Sequence, residues 1–295
     1  MQDPTSSLAS QVLIFGLMLG MGLALTPADF RRVLRAPGPV VVGLFLQLVL
    51  MPLFAFAIVI VFDLPPLLAL GLVVCGALPG GAGSNTFVYL ADAHVALSIS
   101  LTATATLVTL VTLPLWIGAA QDYLDFSGSM VRMPILETAI EIGALTVLPV
   151  GLGMLARGRY PGAQKLERPL TGISSVLLVI VMVAESASQP ETPLPLFEQS
   201  FQPVLCLSLA AAVVGLGVPL LFGQRLEDAS TVAVELTAKN SLLGFVVLAS
   251  AFRQLEPGVP LIVYSGVSLP LAALVLVGFR LRRRRLAARD QERGE

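Results

Sequence analysis

Residues Leu67–Leu90 read LLALGLVVCGALPGGAGSNTFVYL. The stretch has the length to cross a bilayer, which takes about 20 residues of helix, but it does not read as one helix. Its apolar half ends at Leu78. Pro79 then removes a backbone donor and crowds the preceding turn, and Gly80, Gly81 and Gly83 free the backbone. Ser84 and Asn85 bring polar side chains to the same depth. Irregular backbone at that depth persists only where protein buries it or it lines a cavity. The pattern predicts a helix broken near mid-membrane.

A second stretch, TVAVELTAKNSLLGFVVLAS at 231–250, poses the same problem without a Pro or Gly at its centre. Glu235, Thr237, Lys239, Asn240 and Ser241 interrupt an otherwise lipid-compatible run, so polarity alone predicts this break. Two interrupted helices, one per half of a chain, point to the binding site of a secondary transporter. A half-helix ending in unpaired carbonyls favours a cation, and one beginning with unpaired N–H groups favours an anion.

The whole chain fits that setting. It has 295 residues, 56% of them hydrophobic and 13% charged, against about 25% charged in a soluble domain. The composition implies a single polytopic membrane domain over 1–295, all-α. Nine windows are long and apolar enough to span: 8–25, 39–62, 67–90, 95–119, 133–155, 170–187, 201–222, 231–252 and 260–281. Turn-forming residues separate them, among them APGP, DLPP, QPETPLP and LEPG. With the N-terminus outside, every Lys and Arg except Arg132, Arg253 and the intramembrane Lys239 falls on the cytoplasmic side. The C-terminus is then inside. MQDPTSSLAS carries no basic residue before the first span, which argues for a retained helix over a cleaved signal. The RLRRRR run next to the last span reads as an anchor for anionic lipid rather than a nucleic-acid patch.

Other polar residues are weighed individually. Ser98 and Thr102 are four apart and share a helix face, whereas Ser100, Thr104 and Thr106 sit where hydroxyls commonly bond back to their own helix. Glu137, Glu141 and Glu185 line an outer vestibule or reach the headgroups. His94 reads as a solvent-exposed turn residue, and as the sole histidine it excludes multi-His metal chemistry. Trp116 reads as an interface anchor. Cys75 and Cys206 lie in apolar runs as small hydrophobes, with no disulfide or zinc spacing. An intramembrane enzyme would need paired aspartates, a nucleophile with its base, or a metal cluster, and the spans hold no Asp at depth and no His.

PGGAGSN, the following YLADAHVALSIS, the late VELTAKNS, and the segments FGLMLGMGLALTPADF and LFLQLVLMP resemble the bile acid:sodium symporter family. The resemblance runs from Val12 to the last span. It implies two inverted five-helix repeats sorted into core and panel domains, with two broken helices crossing. This chain corresponds to the bacterial-type nine-span form lacking the first helix. Its first repeat covers 8–119 with four helices, its second 133–281 with five, and 282–295 form a basic cytoplasmic tail. The resemblance further implies an inner (plasma) membrane symporter, multi-pass, taking up an amphipathic organic anion, bile-acid-like or a small carboxylate, with sodium by alternating access. It places a first sodium site at Ser84, Asn85, Ser98, Thr102 and Glu235. A second would use Gln47, Glu235 and the carbonyls of Leu236 and Ala238. There the sequence departs: Lys239 stands where the family has Gln, and Ser265 where a His lies near substrate. Asn240, Ser241 and Ser265 are the implied substrate contacts.

Lys239 follows Glu235 in the favourable order for a pair four residues apart on a helix. Two readings of it stay open. Its ammonium replaces one sodium ion, leaving coupling to one sodium or to a proton, or it points away and binds the anion directly. A sodium-independent or proton-coupled carrier of the same fold is the competing function.

Overall fold

A computed structural model describes residues 4–27, 37–124, 135–187, 194–252 and 256–294. Among them the chain is helical apart from its turns and one isolated antiparallel bridge, Gly80 with Lys239. Helix α1 spans Pro4–Ala24 and α2 spans Pro37–Phe45, continuing through a π-helical turn, Leu46–Leu50, into α3, Met51–Phe62. Asp63 ends α3 in the left-handed conformation (φ 47°), a usual helix stop. Next come α4, Pro66–Ala77, and α5, Ala82–Leu90, with Pro66 at the first position of α4, where its missing donor costs nothing. Then follow α6, Val95–Tyr123; α7, Ile135–Arg159; α8, Glu167–Ala187; α9, Leu194–Leu221; α10, Leu226–Thr237; α11, Ser241–Phe252; and α12, Val259–Gly294.

The protein is a polytopic membrane protein. Among the described residues, three helical stretches are long and apolar enough to cross a bilayer: Gly38–Phe62, Leu194–Leu221 and Glu256–Arg285. A fourth counts if α6, bent by 55° between Val95–Thr109 and Val111–Tyr123, is one span. Helices α4, α5, α10 and α11 are each too short to cross singly, because each pair is one interrupted segment. Arg31, Arg32, Arg35, Arg132 and Arg253 lie outside the described residues, as do the side chains of Glu137, Glu141 and Glu185.

Helix α1 packs against α7 and α8. Its contact with α7 is backbone to backbone: a Cβ on Gly22 would stand 2.2 Å from the Val150 carbonyl oxygen, and one on Gly153 2.4 Å from that of Leu19. Small residues at a crossing are how membrane helices approach closely without a hydrophobic force between them. Leu46, Met51, Leu72, Leu101, Leu207 and Tyr264 belong to a separate apolar core that joins α3, α4, α6, α9 and α12. A second buried cluster joins α1, α7 and α8 to Ala103 of α6 and Phe245 of α11, and beside it α1 and α8 line a cleft facing α5, α11 and α12.

One reading needs correction. His94 is only partly exposed: its Nδ1 lies 2.5 Å from Asp228 Oδ1, and its backbone N–H donates to Thr231 Oγ1 at 3.1 Å. The start of α10 is folded over the turn that carries it. Trp116 is half-buried, and its indole N–H donates to the Leu48 carbonyl in the π turn at 3.0 Å. The C-terminal basic run is a continuation of α12, and Arg283 donates to the Asp92 carbonyl at 3.0 Å.

Candidate cation and substrate site

Both predicted breaks are present, and they meet. The first covers Leu78–Gly81, between α4 and α5, and the second Ala238–Asn240, between α10 and α11. Gly81 N–H donates to the Ala238 carbonyl and Asn240 N–H to the Pro79 carbonyl, each at 2.9 Å. Backbone released by one break is thus satisfied by the other, which removes the several-kcal/mol cost of bare peptide groups in a membrane interior. Gly80 is required here: a Cβ at that position would stand 2.2 Å from Glu235 Oε2.

Glu235 ends α10 fully buried, and three hydroxyls converge on it. Ser84 Oγ donates to Oε1 at 2.6 Å, Thr102 Oγ1 to Oε2 at 2.7 Å, and Ser98 Oγ also reaches Oε1. Ser98 Oγ lies 2.7 Å from Asn85 Oδ1 as well. Ser84, Asn85, Ser98, Thr102 and Glu235 therefore form one cluster, drawn from α5, α6 and α10. Hydrogen bonds to a charged group contribute about 1.5–3 kcal/mol each, so three of them offset the roughly 2.5–3.5 kcal/mol of holding a carboxylate at mid-bilayer. Ser100 and Thr106 bond back to Ala96 and Thr102. The donor set is all oxygen, as a hard cation such as sodium requires.

The second set of residues behaves differently. Lys239 is beyond the end of α10, with Ala238 out of helical conformation (φ −88°, ψ 73°), so the four-residue pairing with Glu235 does not form. Its ammonium instead donates to the Gly76 and Leu78 carbonyls, both at 2.8 Å, at the C-terminal end of α4. The negative end of a helix dipole favours a cation by about 0.3–1 kcal/mol, more where buried. Leu236 and Ala238 carbonyls accept from Tyr264 Oη (3.3 Å) and Gly81 N–H. Gln47, fully buried in the π turn, has no hydrogen-bond partner for either amide atom among the described residues. π turns often mark functional positions, yet nothing in the local sequence announces this one.

Asn240 caps α11 by accepting from Leu243 N–H at 3.3 Å. Asn240, Ser241 and Ser265 all line a cavity of about 510 Å³ in the cleft, and Ser265 also bonds back to Leu261. A second cavity of about 540 Å³ adjoins it, reaching Asn85 and Thr102 of the cation cluster. Met21, Thr86, Glu167 and Arg168 line both, so the two are chambers of one cleft. Sequence reasoning missed Glu167 and Arg168, whose position beside a cytoplasmic loop suggested only topology. It also missed Arg157, which donates to the Leu23 and Ala24 carbonyls and so caps α1.

Residues 11–190 match the Sodium Bile acid symporter family. The chain is 31% identical, over 94% of its length, to a rice protein named probable sodium/metabolite cotransporter BASS2, chloroplastic, and covers 64% of that protein. It is 28% identical to the Bacillus subtilis uncharacterized sodium-dependent transporter YocS, over 84% of this chain and 76% of that one. With the mouse ileal sodium/bile acid cotransporter, identity is 27% over 90% and 76%. The chain spans about two thirds or less of the plant relatives it matches. Two helix breaks that close on each other, an oxygen-rich cluster on a buried acid beside them, and a match that runs from α1 through α8 together place the chain in the Sodium Bile acid symporter family.

Proposed function

We propose that the chain is a sodium-coupled carrier, not an enzyme, that takes up an organic anion by alternating access. Helices α1, α7 and α8 form the panel of a nine-span fold. The remaining helices form the core, and core and panel together make an inverted repeat over 8–119 and 133–281 with the N-terminus outside. The core rocks against the panel and opens the cleft to each side of the inner membrane in turn. The observation that carries this reading is the convergence of Ser84, Ser98 and Thr102 on Glu235 where the two breaks meet.

Sodium binds within Ser84, Asn85, Ser98, Thr102 and Glu235, where the oxygens already converge. The second cation position, among Gln47, Leu236, Ala238 and residue 239, is served by the Lys239 ammonium. Its contact with two carbonyls at the end of α4 supports a built-in cation over direct contact with substrate. One sodium per cycle follows. The same buried ammonium favours a second reading, in which Lys239 gives up and regains a proton during the cycle and a pH gradient drives uptake without sodium.

The test is thermal melting of the purified protein in sodium chloride and in potassium chloride at equal ionic strength. Sodium raises Tm for the native chain and fails to do so for Glu235→Gln or Thr102→Ala. Identical melting in the two salts rejects sodium binding. Uptake into sodium-free proteoliposomes under an imposed pH gradient then decides for the second reading.

A further inference from the structure

Arg168 lies in the first turn of α8 and lines both chambers of the cleft. A cation in the first turn opposes the helix dipole, so helix stability does not account for it. Membrane topology does not account for its place either. Arg159 and Lys165 already supply positive charge on that side, and neither lines the cleft. The other cations facing the cleft are committed: Arg157 to the end of α1, Lys239 to the end of α4. Arg168 makes no hydrogen bond or ion pair among the described residues. Its turn is held firmly, because Gly20 of α1 lets the Glu167 carbonyl approach to 3.3 Å from where a Cβ would stand. Glu167 faces the same cleft, also without an ion-pair partner among the described residues. A guanidinium offers a planar fork that matches a carboxylate, and a carboxylate only accepts hydrogen bonds.

We propose that Arg168 binds the anionic group of the cargo from the α8 side and that Glu167 accepts a hydrogen bond from the same molecule, so that the cargo is a small carboxylate with a hydrogen-bond donor beside its acid group. The proposal rests on the carrier reading and names the cargo class of that cleft. The chambers, about 510 and 540 Å³, fall within the roughly 300–1,000 Å³ usual for small-molecule sites. The hydroxyls of Thr86, Thr171, Ser175 and Ser268 line the first chamber around the anion's path, and Leu17 and Leu269 face its apolar part.

The experiment is thermal melting of the full chain in sodium with hexanoate, 2-hydroxyhexanoate or hexanamide. Both acids raise Tm, the hydroxy acid at lower concentration, and hexanamide has no effect. Arg168→Ala raises the half-saturating concentration of both acids by roughly ten- to a hundredfold. Arg168→Lys keeps part of the response. Glu167→Gln erases the preference for the hydroxy acid. The shift given by sodium alone is the same in all three variants, which also shows that they are folded. Arg168→Ala responding to the acids as the native chain does overturns the proposal and leaves the carrier reading standing. Absence of any response to the acids in the native chain overturns it as well. Absence of a sodium response in the native chain removes the carrier reading itself.

Discussion

In the proposed carrier, Lys239 is the residue on which coupling turns. An ammonium has three N–H donors, and two are spent on the Gly76 and Leu78 carbonyls. On the proposed reading, a fixed charge there does the work of an exchangeable ion. Lys239→Gln removes that charge, and uptake should then depend on sodium with a Hill slope rising from about one towards about two, since the slope is bounded by the number of sites. A slope near two with Lys239 intact counts decisively against a built-in cation. The five residues around Glu235 were legible in the sequence, because each is an oxygen donor in an apolar setting and the resemblance gave their grouping. The partner of Lys239 was not legible. A backbone carbonyl carries no residue signature, and the pairing with Glu235 assumed a helix that stops at Thr237.

At the scale of elements, the first break was readable from Pro79 and the glycines, and the second from polarity alone. The joint between them was not readable, since it is made of peptide groups. The same holds for the π turn around Gln47, which no proline or glycine marks. The entry of α10 is held differently, by side chains: Asp228 on His94 and Thr231 on the His94 backbone. This contact ties the turn after one broken segment to the start of the other. Asp228→Asn should lower stability by about 1 kcal/mol, the upper range for a partly exposed pair, seen as a reduced Tm without loss of the sodium-induced shift. An unchanged melting point means that the contact carries no load.

For the molecule as a whole, the proposed cycle makes the cleft between α1 and α8 on one side and the core on the other the moving boundary. Met21 of α1 and Thr86 of α5 both face its two chambers. Cysteines at these positions, in a Cys206→Ser background because Cys206 is exposed while Cys75 is buried, should be linked by a bifunctional maleimide. Linked protein is expected to lose uptake while keeping its stabilisation by sodium; linked protein that still transports excludes rocking across this boundary. The sequence indicated a membrane carrier with two interrupted helices, but not which helices share a core, because close approach at Gly22 and Gly153 depends on the facing helix. The hydrogen-bonded seam at Gly80 and Lys239 has a wider consequence. Its cohesion resides in main-chain atoms, so the side chain at 239 is free to vary without unmaking the crossing. On the proposed reading, the number of ions moved per turnover can thus drift by a single codon change while the architecture stays as it is.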